Sequence, residues 1–190
     1  VQILSPYRSE GAAAAANLNT AIQEAINPSK PEKPEATRGG KVFRLRDRVM
    51  QIKNDYDIVL RDSEGKELAT GVFNGETGFV IDIQGSSITV NYDGRYANYP
   101  LESLDELDLA YAMTIHKSQG SECDTVIIPM LVAHKILLSR NLLYTAVTRA
   151  KHRVLLVGQK KALYMAVSKT RKGKRNTLLA ERMRLYHQAL

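Results

Sequence analysis

Three short segments hold most of the side chains with a capacity for chemistry. They are Ser5-Pro6-Tyr7-Arg8, then Thr114-Ile115-His116-Lys117-Ser118-Gln119-Gly120-Ser121-Glu122, then Leu143-Tyr144-Thr145-Ala146-Val147-Thr148-Arg149-Ala150. The middle one places seven polar side chains in nine positions, between two largely apolar runs. Hydroxyls, an imidazole and a lysine contact sugar and phosphate well, and Gly120 lets a backbone approach closely. The alternative for this segment is a capped loop with a surface histidine. Arg8 and Arg149 each offer a planar fork of donors with a permanent charge, so two of them aimed at one cleft suit phosphate. For Arg149 the alternative is a cation favoured at a helix C-terminus by the macrodipole alone.

These segments need a scaffold, and the spacing predicts an α/β layer. Val1 to Leu4 reads as a strand closed by Ser5-Pro6. A helix follows, with Ser9 a candidate N-cap and Leu18, Ile22, Ala25 and Ile26 on one apolar face. After about residue 105 the same alternation returns: a strand near 108–112, a short helix near 114–119, a strand from Thr125 to Ile128 and a helix from Ser139 to Ala150. Val154 to Val157 is all apolar, as a strand covered on both faces should be. Helices over Gln159 to Val167 and Thr177 to Leu190 are expected to close the chain. Alternating strands and helices indicate a parallel sheet, with ligands at its edges.

Between these halves the period changes. Pro28, Pro31 and Pro34 recur among Lys and Glu, which reads as an extended spacer, with a linker over residues 31–40. Residues 41–104 then have the period of short antiparallel strands. Phe79, Ile81 and Ile83 alternate with Val80 and Asp82, and Ile88, Val90 and Tyr92 alternate with Thr89 and Asn91. Gln84-Gly85-Ser86-Ser87, Asn74-Gly75 and above all Asp93-Gly94 supply the turns. The expectation is a small β-barrel inserted into an α/β domain made of residues 1–30 and 105–190.

Composition excludes several classes. Of 190 residues, 44% are hydrophobic, too many for low-complexity disorder. No run approaches the roughly 20 apolar residues of a membrane span. One cysteine, Cys123, forms no internal disulfide, which suits a cytoplasmic location. The net charge of +7 is uneven: residues 1–100 carry 12 basic and 13 acidic side chains, and residues 101–190 carry 15 and 7. The excess suggests a polyanion met by the C-terminal part, or a solvated basic tail.

Taken together, the three segments resemble motifs of superfamily 1 helicases of the RecD-like branch. Residues 114–122 match that group's motif V, residues 143–151 its motif VI, and Ser5 to Arg8, with Leu18-Asn19 after it, resembles motif IV. Phe43 to Gln51, Val72 to Glu76 and Gly78 are similar to the SH3-like barrel set within the family's second RecA-like lobe. The resemblance implies that Arg8 and Arg149 contact the γ-phosphate of ATP, with Gly120 and Glu122 on the nucleotide side. It implies that Thr114 and His116 contact single-stranded DNA, with Lys117 and Ser118 assisting, and that Tyr144 packs. It further implies 5′→3′ movement, Mg²⁺ as companion of ATP, a first RecA-like lobe of the same protein as partner, and other subunits of a recombination or repair complex.

No Gly-x-x-x-x-Gly-Lys-[Ser/Thr] occurs in the chain, and Asp105-Glu106 lacks the apolar strand that a magnesium-binding pair needs upstream. The phosphate cradle and the Mg²⁺ ligands are therefore expected in a preceding lobe, with Val1 opening the second, and no nucleic-acid-stimulated ATPase is expected of these residues alone. Three rivals stay open: the helicase-like lobe of a conjugative relaxase, an RNA helicase, and a non-enzymatic nucleic-acid-binding module. The third is disfavoured by the net charge of −2 on residues 41–104, with 8 basic and 10 acidic side chains.

Overall fold

The computed structural model describes residues 1–169 and 178–188. Strand β1 (Gln2–Ser5) leads through a loop to helix α1 (Ala15–Ile26). Ser9 does not cap this helix. Its N-cap is Ala14, and the first turn is held by the N–H groups of Ala15 and Ala16, each 2.9 Å from the carbonyls of Tyr7 and Arg8. Nor is the expected apolar face the buried one. Ala15, Asn19 and Gln23 are buried, with Asn27 behind them, while Ala25 and Ile26 are exposed. The amides win because each finds a partner on another element, which a buried polar group requires. Asn19 donates to the carbonyls of Leu109 and Ala112 and accepts from the Ala112 N–H at 2.7 Å.

Strand β2 (Glu35–Arg38) pairs with β3 (Lys41–Arg44), so the expected linker over 31–40 contains half of a ribbon. Strands β4 (Arg48–Gln51), β5 (Asp55–Arg61), β6 (Glu67–Val72), β7 (Thr77–Gln84), β8 (Ser87–Tyr92), β9 (Arg95–Pro100) and β10 (Leu107–Leu109) form an antiparallel sheet of order β10-β4-β7-β8-β9-β5-β6. Asp93 and Gly94 turn from β8 to β9 with φ of 54° and 86°, the paired positive values of a type I′ hairpin. In β7 the inward face is the reverse of the apolar count. Gly78 and Val80 face in, whereas Phe79 and Ile81 are exposed, and a bulge follows between Val80 and Asp82. Gly78 sits where a Cβ would lie 2.6 Å from the Asn91 carbonyl oxygen, so only glycine lets β7 and β8 cross this closely. In the core, the hydroxyls of Tyr92 and Tyr99 lie 2.8 Å apart, and Tyr99 donates to Gln51 at 2.9 Å. Burial raises the pKa of both phenols.

The stretch expected as one strand near 108–112 is two. β10 ends at Leu109 in the barrel sheet, and β11 (Ala112–Thr114) starts the parallel one, with Ala110 and Tyr111 as the hinge. Strand β12 (Cys123–Met130), helix α2 (Arg140–Val147) capped by the Ser139 hydroxyl, strand β13 (Ala150–Gly158), and helices α3 (Lys160–Ser168) and α4 (Leu179–Gln188) follow. The parallel sheet has the order β11-β1-β12-β13. β13 is its edge, and Leu155, Leu156 and Val157 are exposed rather than covered on both faces. Of the basic stretch 169–175, Lys169 alone is described, and its ammonium donates to the carbonyls of Lys135 and Ile136. No helix of the described residues is long and apolar enough to cross a membrane.

Candidate functional site

The parallel sheet gives the three segments definite ends. Arg8 leaves the carboxyl end of β1, and Thr114 closes β11 beside it, with Ser5 opposite Thr114 in register. Tyr7 stacks on His134, which follows β12, at 5.1 Å between ring centroids. His134 is 2% exposed with its Nδ1 unpartnered, and burial lowers its pKa. At this end His116 is exposed and Thr114 is partly so. Lys117 is partly buried, and its pKa is lowered first by burial and then by the charge of Arg8. The charge of Asp108 acts on Lys117 in the opposite sense.

Ser118 behaves differently from its neighbours. It is 2% exposed, and its hydroxyl donates to the Ile115 carbonyl at 2.8 Å. It holds the turn, with its hydroxyl engaged inside the protein.

The other end collects Gly120, Glu122 and Arg149. Arg149 precedes β13, and its carbonyl accepts from the Cys123 N–H at 2.8 Å, locking the starts of β12 and β13 together. Its guanidinium is poorly satisfied by the protein. Nη1 reaches the Ser121 carbonyl at 3.3 Å, Nη2 the Thr148 hydroxyl at 3.5 Å, and Nε is buried without a partner. An arginine left with orphaned donors fits an anionic ligand, phosphate included. Glu122 makes a loose ion pair with Lys151 at 3.8 Å, and Gly120 has φ of 87° with open space around its Cα. Tyr144, expected to pack, is 70% exposed on α2. Arg8 and Arg149 stand at opposite ends of parallel strands, so this sheet does not itself bring the two guanidiniums together. Among the described residues no cluster of His, Cys, Asp and Glu has metal-holding geometry.

Sequence reasoning missed what joins barrel to lobe. The fully buried carboxylate of Asp47 accepts from Asn27 at 2.6 Å, the Arg44 N–H at 2.7 Å, the Tyr111 hydroxyl at 2.8 Å, and Gln23. Arg44 in turn pairs with Glu24 at 2.6 Å and Glu35 at 2.8 Å. The signal was present in Asn19, Gln23 and Asn27, three amides spaced by four along one helix.

Comparison with known proteins agrees with the fold. Residues 18–92 match the SH3 domain of ATP-dependent RecD-like DNA helicases, and residues 109–157 match the UvrD-like helicase C-terminal domain. The ATP-dependent RecD2 DNA helicase of Deinococcus radiodurans is 36% identical over 98% of this chain, and the RecBCD enzyme subunit RecD of Mycolicibacterium smegmatis is 39% identical over 72%. The chain spans 24% and 22% of those relatives' lengths. Bacteroides Pif1 bound to single-stranded DNA shares the fold, with a TM-score of 0.53 and 17% identity over 98% of this chain and 45% of that one. A structure of two coordinating Pif1 helicases at forked double-stranded DNA gives 0.54 and 19%, over 98% and 44%. The parallel sheet with its inserted barrel is thus a RecA-like helicase lobe of superfamily 1. Within that class, the chain belongs to the RecD-like helicases.

Proposed function

We propose that these residues form the second motor lobe of an ATP-dependent DNA helicase that moves 5′→3′ along single-stranded DNA. The observation that carries the reading is the link between the two ends of the sheet. Residues 115–122 alone join the carboxyl end of β11 to the amino end of β12. Thr114 and His116 at one end of this link hold DNA phosphates, with Lys117 beside them. Gly120 and Glu122 at the other end lie with Arg149 and face the nucleotide. A shift at either end is passed to the other through a segment held in successive turns, with the Ser118 N–H on the Thr114 carbonyl and the Ser121 N–H on the Ser118 carbonyl.

ATP is the substrate in this reading, and the charge that builds on its γ-phosphoryl group during transfer is what an arginine stabilises. Arg149, with its orphaned donors, has that role. Arg8 is assigned to the γ-phosphate by family likeness alone, since the sheet sets it at the end opposite Arg149. The phosphate cradle and the Mg²⁺ ligands belong to a first lobe outside these 190 residues, since no phosphate-cradle motif occurs within them. That lobe is the immediate partner, and other repair or recombination subunits follow by family likeness.

Residues 1–190, purified alone, are expected to bind single-stranded oligonucleotide and to turn over no ATP. Turnover that is stimulated by DNA and survives stringent purification contradicts the proposal.

A further inference from the structure

We propose that a groove between the end of α1 and the barrel is a second contact for single-stranded nucleic acid, apart from the Thr114 and His116 surface. The inference rests on the DNA-binding reading above and adds a site to it. The groove has a volume of about 580 Å³, and its walls include Lys30, Lys33, Arg46, Phe79, Ile26 and Tyr111. It lies at the far end of a 12-residue helix from Arg8, about 18 Å along the axis.

Three observations converge on it. The first is charge. Lys30, Lys33 and Arg46 form no ion pair among the described residues, while the carboxylates around them are engaged. Asp47 is saturated by four donors, and Glu24 and Glu35 belong to Arg44, which leaves Glu32 as the one acid on the wall. The lining itself thus carries three cations against one acid although the barrel as a whole is slightly acidic, because two of the cations come from the spacer.

The second is a platform. Phe79 is 54% exposed because the face of β7 that carries it points outward. A solvent-facing ring among cations is what stacking of a base with contact to its phosphates requires.

The third is backbone strain. Arg46 holds φ of 73° in a tight turn closed by the Asp47 N–H on the Arg44 carbonyl at 2.9 Å. Glycine or asparagine is the easy choice at such a position, and this chain places an arginine there, on the groove wall. An acidic peptide offers the charge but needs no flat ring.

The test is fluorescence anisotropy of the full chain with a labelled oligothymidylate, at several salt concentrations. Arg46→Gly is expected to weaken binding about fivefold and to lower the slope of log affinity against log salt by about 0.7, the share of one phosphate contact on a single strand. It should leave the melting temperature unchanged or higher, since glycine is at ease at positive φ. Phe79→Ala is expected to weaken binding about tenfold with little change in salt slope. Parent-like binding by both variants overturns the proposal. So does displacement of the oligonucleotide from a Thr114→Ala/His116→Ala chain by a polyglutamate peptide of equal charge, which makes the groove a protein dock. If Thr114→Ala/His116→Ala alone leaves affinity unchanged while the groove variants reduce it, the reading under Proposed function fails and the groove stands.

Discussion

The amide of Asn27 donates to the carboxylate of Asp47 across 2.6 Å, and this bond ties the last turn of α1 to the barrel's first tight turn. With Gln23, Tyr111 and the Arg44 N–H on the same carboxylate, lobe and barrel meet through a buried polar joint beside apolar contacts such as Met50 of β4 in the lobe's core. Such a joint is directional: it fixes the angle between the parts, and it fails if any member loses its partner. Asp47→Ala is expected to cost about 3 kcal/mol or more, because several buried donors lose their acceptor together. Urea denaturation of the chain measures it. A cost below about 1 kcal/mol contradicts the joint's importance.

His134 gives a pH signature. Its folded pKa is depressed by burial, so between that value and the ordinary one near 6.5 the unfolded chain binds more protons than the folded one. Stability therefore rises with pH through this window and is lost as pH falls through it. His134→Phe keeps a ring against Tyr7 and removes the proton site. The difference in stability between pH 5 and pH 7.5 should shrink in the variant, and an unchanged difference rejects the assignment.

Arg8 and Lys117 repel each other at the carboxyl end of the sheet. Lys117→Met removes a partly buried charge, and a rise of about 1 °C in melting temperature is expected, with weaker oligonucleotide binding. Arg8→Ala separates contact with the nucleotide from contact with DNA. In a protein that also carries the first lobe, the expected result is a loss of ATP turnover of at least a hundredfold with near-normal DNA affinity. Weakened DNA binding with intact turnover moves Arg8 to the DNA surface.

Much of the fold was legible because its signals are local. Asp93-Gly94 demands a type I′ turn whatever surrounds it, and the apolar runs of β8 and β12 admit few other readings. What was hidden depends on partners distant in sequence. The polar stripe of α1 looks solvent-facing until Leu109, Ala112 and Asp47 supply acceptors and donors. Residues 108–112 read as one strand because nothing local says that Leu109 and Ala112 join different sheets. Ser118 looks like one more polar group in a polar segment, and only its burial removes it from the surface. That Arg8 and Arg149 occupy opposite ends of the sheet required the topology, since β11 and β12 flank β1 on either side.

The most direct test is ATP turnover stimulated by single-stranded DNA in a protein that joins this lobe to its first lobe, with Arg149 intact or replaced by alanine. The account predicts that Arg149→Ala lowers stimulated turnover by about 10³-fold or more while the protein still binds single-stranded DNA. Turnover within a few-fold of the parent would show that the orphaned guanidinium of Arg149 faces something other than the nucleotide.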